Sequence, residues 1–195
     1  MMSTARSRTA TPRGAPVPES SGAVRDVELL GVYCNDHLAA AAGGIELVER
    51  MIGVHAGTVY EQRLHRLRGE LLEERTGLTA MMRALGLPVR RFKPVAVWVG
   101  EKLSRLKPNG RFLRRSPLSS VVEFEFLSGA VLLKRAGFET LLGLAAEDPR
   151  LDRALLDDLI RQADRQHRWL ADARREVAAA ALGGRAESSD DSSAT

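Results

Sequence analysis

The most apolar stretch of the chain, SSVVEFEFLSGAVLL at residues 119–133, carries two glutamates, Glu123 and Glu125. The stretch follows Ser116-Pro117, an N-cap residue with proline at the first helical position, and this pair predicts the start of a helix. Residues two apart on a helix point about 200° away from each other, so the two carboxylates cannot both face a core. Glu125 shares its face with more of the apolar residues. We therefore predict that Glu125 faces the interior and that Glu123 faces the solvent.

The composition predicts an all-α protein with an aliphatic core. Hydrophobic residues make up 44% of the 195 residues and aromatic residues only 5%, so Leu, Val, Ala and Met must fill most of the core. Leu and Ala also favour helices. No sustained alternation of apolar and polar residues, flanked by hairpin turns, indicates strands. Cys34 is the only cysteine, which excludes an intramolecular disulfide and a cysteine-based metal motif.

Four long helices are predicted, because apolar residues recur at the 4-3 spacing of a bundle seam. They cover approximately residues 26–52, 58–85, 116–146 and 148–182. The capping box Thr58-x-x-Glu61 and the pairs Ser116-Pro117 and Asp148-Pro149 are typical of helix starts. Gly86 and Pro88 predict the end of the second helix.

The connections between these helices predict the fold class. Short connections join helices one and two and helices three and four, which makes each pair an antiparallel hairpin. Residues 87–116 lie between helices two and three, and they predict a long crossover with a short helix near 94–106. Such a crossover lets helix three run parallel to helix two. The predicted fold is an all-α four-helix bundle in the up-down-down-up order of ferritin-like topology.

The folded domain is predicted to span residues 26–182. Residues 1–25 and 183–195 have too little apolar surface to offset the entropy of ordering, so both are predicted to be disordered tails. The first tail contains arginines but lacks the continuous apolar segment of a secretory signal. The sequence contains no run of about 18 apolar residues, so no transmembrane helix is predicted. We expect a bacterial, cytoplasmic protein.

Polar residues interrupt the predicted seams on all four helices. The candidate metal ligands are Asp36, His37, Glu74, Glu125, Asp164 and His167. A buried carboxylate is unfavourable unless it is paired or bound to a metal, so a layer of such residues needs a cation, a shared proton or a hydrogen-bond network. Simpler interpretations stay open: Asp36–His37 and Asp164–His167 as surface pairs, and Glu74 as the partner of an arginine.

Four stretches of the chain carry a resemblance to a known group of proteins: LGVYCNDHLAAAAGGIELVERM, LLEERTGLTAMMRALGLP, EKLSRLKPNGRFLRRSPLSSVVEFE and DPRLDRALLDDL. The chain resembles the ferritin-like superfamily of bacterial four-helix bundles, and more closely an uncharacterised actinobacterial branch to which no reaction is assigned. The resemblance covers most of residues 29–160. It implies a ferritin-like fold and, for the superfamily at large, a di-iron site in the bundle interior.

That di-iron site takes one carboxylate from each of two helices and a Glu-x-x-His motif from each of the other two. By the resemblance, Asp36 and Glu125 would be the two carboxylates, and Asp164-x-x-His167 a weakened form of the motif. The second helix offers Glu70-x-x-Glu73-Glu74 without a histidine at the required spacing. This departure argues against a complete oxygen-activating centre. It leaves two alternatives: a residual site for iron or manganese, with a metal-dependent oxidoreductase as the implied enzyme class, or a polar layer that has lost its metal.

The predicted crossover is strongly basic. Residues 90–115 carry nine basic side chains against one acid, Glu101, a net charge of +8; the whole chain is +4, so the remainder is −4. The nine are Arg90, Arg91, Lys93, Lys102, Arg105, Lys107, Arg111, Arg114 and Arg115. Such a patch suits an anionic partner: nucleic acid, anionic lipid or an acidic protein. The apolar residues of the segment equally suit packing against the bundle.

Two classes of function follow from these features. The first is a ferritin-like bundle protein with a residual metal or polar site in its interior. The second is a non-enzymatic interaction protein that binds an anionic partner through the basic crossover. No recognisable DNA-binding module is present, so sequence-specific DNA recognition is not expected. A homo-oligomer is compatible with either class.

Overall fold

The computed structural model describes residues 26–90 and 116–183, and all regular secondary structure within these ranges is helical. Its helices are α1 (Val27–Val54), α2 (Glu61–Ala84), α3 (Pro117–Leu144) and α4 (Arg153–Leu182). The predicted all-α class and its four long helices are confirmed. Apart from Gly183, the predicted tails lie outside the described residues, and so does most of the predicted crossover. None of the helices in the described ranges is long and apolar enough to cross a membrane.

Three of the helices have an N-cap residue whose side chain accepts a hydrogen bond from a backbone N–H group of the first turn. Asp26 accepts from the Leu29 amide at 2.9 Å, and Ser116 accepts from Leu118 ahead of α3. The predicted start of α4 at Asp148-Pro149 is wrong, because Asp152 caps this helix instead.

The carboxylate of Asp148 is unavailable for capping because it is used within the turn between α3 and α4. Asp148 is buried, and its oxygens accept from the backbone amide of Arg150 at 3.1 Å and from its guanidinium at 2.6 Å. The same guanidinium donates to the Leu85 carbonyl at the end of α2. Asp148 therefore organises the turn and ties it to α2.

Apolar side chains form two clusters along the bundle, and each draws on all four helices. The first cluster lies around Leu38, Leu78, Phe138 and Leu156, and the second around Val48, Leu67, Phe124 and Leu170. Helix α1 packs against α2 and α3, and α3 packs against α4. Burying one such Leu or Phe side chain contributes roughly 1.5–3 kcal/mol, so the two clusters hold most of the stabilising apolar surface.

The prediction for the two glutamates of α3 is wrong. The residue that is buried is Glu123, with 5% of its surface exposed, whereas the side chain of Glu125 is 50% exposed. Glu123 accepts from Arg50 Nε at 3.3 Å, and Glu125 lies 3.4 Å from an Arg174 nitrogen. The error arises because α3 also carries large apolar residues on its solvent side. The exposed ones are Leu118, Phe126, Leu132 and Leu133.

Asn35 on α1 holds the chain that leaves α2. Its side-chain amide donates to the carbonyls of Gly31 at 2.7 Å and Pro88 at 2.8 Å, and its Oδ1 accepts from the Arg90 amide at 2.8 Å. Asn35 is almost fully buried. All three bonds need an amide side chain, because the site combines two acceptors with one donor.

Candidate functional site

Five polar side chains lie together between the two apolar clusters, and we call them the interior polar cluster. They are Glu70, Glu74, Lys134, Gln162 and Gln166. Glu74, Lys134 and Gln162 lie along their helices between core residues of the two clusters, and Glu70 and Gln166 lie about one turn away. Glu74, for example, lies between Leu71 in the second cluster and Leu78 in the first. The predicted seam position of Glu74 is confirmed, since only 3% of its side chain is exposed.

The centre of the interior polar cluster is an ion pair. Lys134 Nζ lies 2.5 Å from Glu74 Oε2 and 2.5 Å from Gln166 Oε1, and 15% of the Lys134 side chain is exposed. The other Glu74 oxygen, Oε1, accepts from Gln166 Nε2 at 2.9 Å and from Gln162 Nε2 at 3.1 Å. Both carboxylate oxygens are therefore occupied, as a buried charge requires.

Gln166 connects the ion pair to Glu70. Its amide donates to Glu70 Oε2 at 2.8 Å as well as to Glu74, while its oxygen accepts from Lys134. An ammonium has three N–H groups, and the side chains described around Lys134 accept two of them. One N–H of Lys134 is therefore available to a further acceptor.

Burial moves the pKa values of the ion pair towards each other. Desolvation raises the pKa of Glu74 above its ordinary value, and the positive charge of Lys134 opposes this shift. Desolvation likewise lowers the pKa of Lys134, opposed by the negative charge of Glu74. The gap between the two pKa values is therefore narrower than for a Glu–Lys pair in water.

A cleft between α1, α2 and α3 adjoins the ion pair. Its volume is about 70 Å³, and both Glu74 and Lys134 line it. Apolar side chains from the three helices form most of the wall, while α1 contributes the small residues Ala40, Ala41 and Gly44. The cleft exists because these small side chains leave space opposite the polar cluster.

His37 lies at one end of the cleft, where α1 and α3 approach each other closely. A Cβ atom on Gly137 would lie 2.6 Å from Cε1 of the His37 ring, so only glycine fits this position without movement of the histidine. The ring also packs edge-on against Tyr33, whose hydroxyl donates to Thr140 Oγ1 at 3.2 Å. Desolvation lowers the pKa of His37, and the nearby Asp36 carboxylate raises it by a smaller amount. Burial therefore favours the neutral imidazole.

The structure separates the six predicted metal ligands. Asp36 is exposed next to His37, whereas Glu125 lies on the surface beside Arg174. Asp164 accepts from Arg135 Nε at 2.6 Å on the outer side of α3 and α4. Of the six, only His37 and Glu74 line the cleft.

The remaining predicted ligand, His167, has a partner of its own. Its Nδ1 lies 3.0 Å from Ser128 Oγ, within hydrogen-bonding distance. Within residues 26–90 and 116–183, no three His, Cys, Asp or Glu side chains are placed to hold one metal ion. The cation beside Glu74 is the ammonium of Lys134, so the residues present do not fit a di-iron or di-manganese centre.

The predicted anion-binding residues are represented in the described part of the chain only by Arg90. Its backbone amide donates to Asn35, as described for the fold. The other eight basic residues of the predicted crossover lie outside the described residues. Anion binding by that segment stays a prediction.

Sequence reasoning missed Lys134, which was not among the predicted site residues. The residues Leu127, Val131, Lys134, Phe138 and Leu141 follow the 4-3 spacing of a seam, and the four apolar members are buried. This spacing was the available signal. The signal was overlooked because lysine is rarely buried, so a lysine is usually assigned to the surface even at a seam position.

Cys34 lines the cleft but is not expected to react. Burial raises the pKa of its thiol to about 11, and only 1% of the residue is exposed. The thiolate is the nucleophile, so at pH 8 the folded protein should react with a disulfide reagent far more slowly than the unfolded chain in urea. Absorbance of the released thiol measures both rates. Equal rates in the two states would contradict the burial of Cys34.

Comparisons with protein-family models, with curated proteins and with solved structures find no match to this chain. The chemistry of the interior polar cluster and its cleft is therefore the guide to function.

Proposed function

We infer that the four helices follow the up-down-down-up order of ferritin-like topology. Two contacts support antiparallel α1 and α3: Tyr33 with Thr140 at one end, and Arg50 with Glu123 at the other. The contacts of Tyr60 with Phe124 and of Glu74 with Lys134 support parallel α2 and α3. A parallel pair in sequence needs a long crossover, which agrees with the length of chain between these helices.

We propose that this ferritin-like bundle is a binding protein for a small, singly anionic molecule with an apolar body. The observation that carries the proposal is the apolar cleft with Lys134 among the residues of its wall. Concave, mostly apolar sites with a few convergent polar groups are the usual form of small-molecule sites. The metal predicted from sequence is not part of this proposal, since the ammonium of Lys134 already neutralises Glu74.

The charges of the cleft favour an anionic end group. Arg75 and Lys134 contribute two positive charges and Glu74 one negative charge, which leaves a net charge of +1 in the wall. The third N–H of Lys134 supplies a donor for a carboxylate oxygen. We therefore expect a short-chain monocarboxylate to bind with its carboxylate at Lys134 and its alkyl chain along the apolar wall.

Hexanoate and hexylamine test this proposal, because they share an alkyl chain and differ in the sign of the end group. We expect hexanoate to shift the amide NMR signals of cleft residues in a saturable manner, while hexylamine leaves them unchanged. The variant Gly44→Leu should abolish the hexanoate shifts. A Cβ at Gly44 meets no atom within 4 Å, so the leucine fills the cleft without a clash at its first atom.

The matched control is Gly129→Leu, a glycine of α3 that is exposed and does not line the cleft. A Cβ at Gly129 likewise meets no atom within 4 Å. This control should bind hexanoate like the wild type. Absence of saturable hexanoate shifts in the wild type, or equal loss in both variants, would overturn the proposal.

A further inference from the structure

A second concave site lies on the opposite side of the interior polar cluster, between α2 and α4. This groove has a volume of about 250 Å³ and is lined by Arg63, Arg66, Leu67, Glu70, Arg165, Gln166 and Trp169. Arg63 and Arg66 are three residues apart and share a face of α2, while Arg165 and Trp169 are four apart on α4. Two helices therefore direct three guanidinium groups at one groove.

Three arginines of α4 outside this groove have carboxylate partners. Arg161 lies 2.5 Å from Asp158, and Arg174 and Arg175 pair with Glu125 and Asp172. By contrast, no carboxylate in the described ranges lies within ion-pairing distance of Arg63, Arg66 or Arg165. All three are exposed. Three guanidinium groups around one concavity repel each other, and a bound anion relieves that repulsion.

Glu70 does not neutralise the groove. Its Oε2 accepts from the buried Gln166 amide at 2.8 Å, so one side of the carboxylate is held at the interior polar cluster. With Glu70 counted, three positive charges and one negative charge leave +2 in the groove wall. This charge matches a phosphate monoester, which is close to a dianion at neutral pH.

Trp169 and Leu67 give the groove an apolar floor beside its charges. The Arg63 guanidinium lies 5.9 Å from the centre of the Trp169 ring, which holds this arginine at the groove by a cation–π contact. Arginine binds phosphate through two parallel N–H donors, which makes it more selective for phosphate than the compact ammonium of lysine. We propose that the groove binds the phosphate of a small phosphate monoester, with the organic part of the ester against Trp169.

Phosphorus NMR titrations with phenyl phosphate and with inorganic phosphate test this site directly. At constant ionic strength, both probes should show saturable shifts, and phenyl phosphate should bind more tightly because its ring contacts Trp169. The double variant Arg63→Gln/Arg165→Gln should weaken phenyl phosphate binding by at least about tenfold, because each charge-assisted bond contributes that much. All substituted side chains are exposed, so folding should be retained.

The matched control is Arg161→Gln/Arg168→Gln, which removes two exposed arginines of α4 outside the groove. Retention of wild-type affinity in this control, with loss in the groove variant, supports the site. Equal weakening of both variants would show attraction by net charge and overturn it. Binding to vesicles of an anionic phospholipid, without saturable binding of either small probe, would overturn it in favour of a lipid surface.

Discussion

Replacing Lys134 with methionine should lower the free energy of unfolding by about 3–5 kcal/mol, because the variant leaves the Glu74 carboxylate buried without its cation. Only 3% of the Glu74 side chain is exposed, so water does not replace the ammonium. Urea denaturation at neutral pH, followed by circular dichroism, measures the loss. The loss should shrink at acidic pH. Burial raises the pKa of Glu74 above its value in the unfolded chain, so protonation of Glu74 stabilises the folded state. This stabilisation is present at low pH and is lost as the pH rises through the folded pKa.

The double variant Lys134→Met/Glu74→Gln is the control for this result. Its uncharged amide keeps hydrogen bonds to Gln162 and Gln166 while it removes the buried charge. We expect it to regain most of the stability that the single variant loses, and to lack the pH dependence. A single variant as stable as the wild type at neutral pH would contradict the ion pair described for the interior polar cluster.

Replacing Asn35 with leucine should lower the free energy of unfolding by about 2–4 kcal/mol, because it removes three hydrogen bonds made by an almost fully buried side chain. The lost bonds are those to the carbonyls of Gly31 and Pro88 and from the amide of Arg90. Chemical denaturation again measures the change.

Two further substitutions distinguish this role of Asn35 from a general effect on α1. Asn35→Asp should also destabilise, since a carboxylate oxygen would face two carbonyls in place of the donor amide. Asp36→Asn, at the exposed neighbouring position, should change the stability by less than about 0.5 kcal/mol. An Asn35→Leu variant as stable as the Asp36→Asn control would refute the attachment of the Pro88–Arg90 segment to α1.

Seam spacing predicted the four helices and the buried position of Glu74, because helical periodicity is strong over segments of this length. It failed on α3, where apolar residues such as Phe126 and Leu132 lie on the solvent side and make the two faces look alike. Burial of Glu123 and exposure of Glu125 depend on where the neighbouring helices pack, and the sequence of α3 alone does not predict that packing.

The side chains that pair with each other in the candidate site could not be predicted from the sequence either. Glu74 was expected to need a cation, and a metal or an arginine was the obvious candidate. The cation is Lys134, which lies 60 positions along the chain and reaches Glu74 only because α2 and α3 pack around the same layer. The arginine groove likewise combines residues from α2 and α4 that share no sequence motif.

The position of the interior polar cluster between two apolar clusters restricts how the helices can move. If α2 slid along α3 by one turn, Leu71 or Leu78 would face the Lys134 ammonium, and Glu74 would enter an apolar layer. Both changes bury an unpaired charge, whereas a uniformly apolar core would tolerate the new register at little cost. The interior polar cluster therefore fixes the register between α2 and α3. Sliding of α2 along α3 is disfavoured.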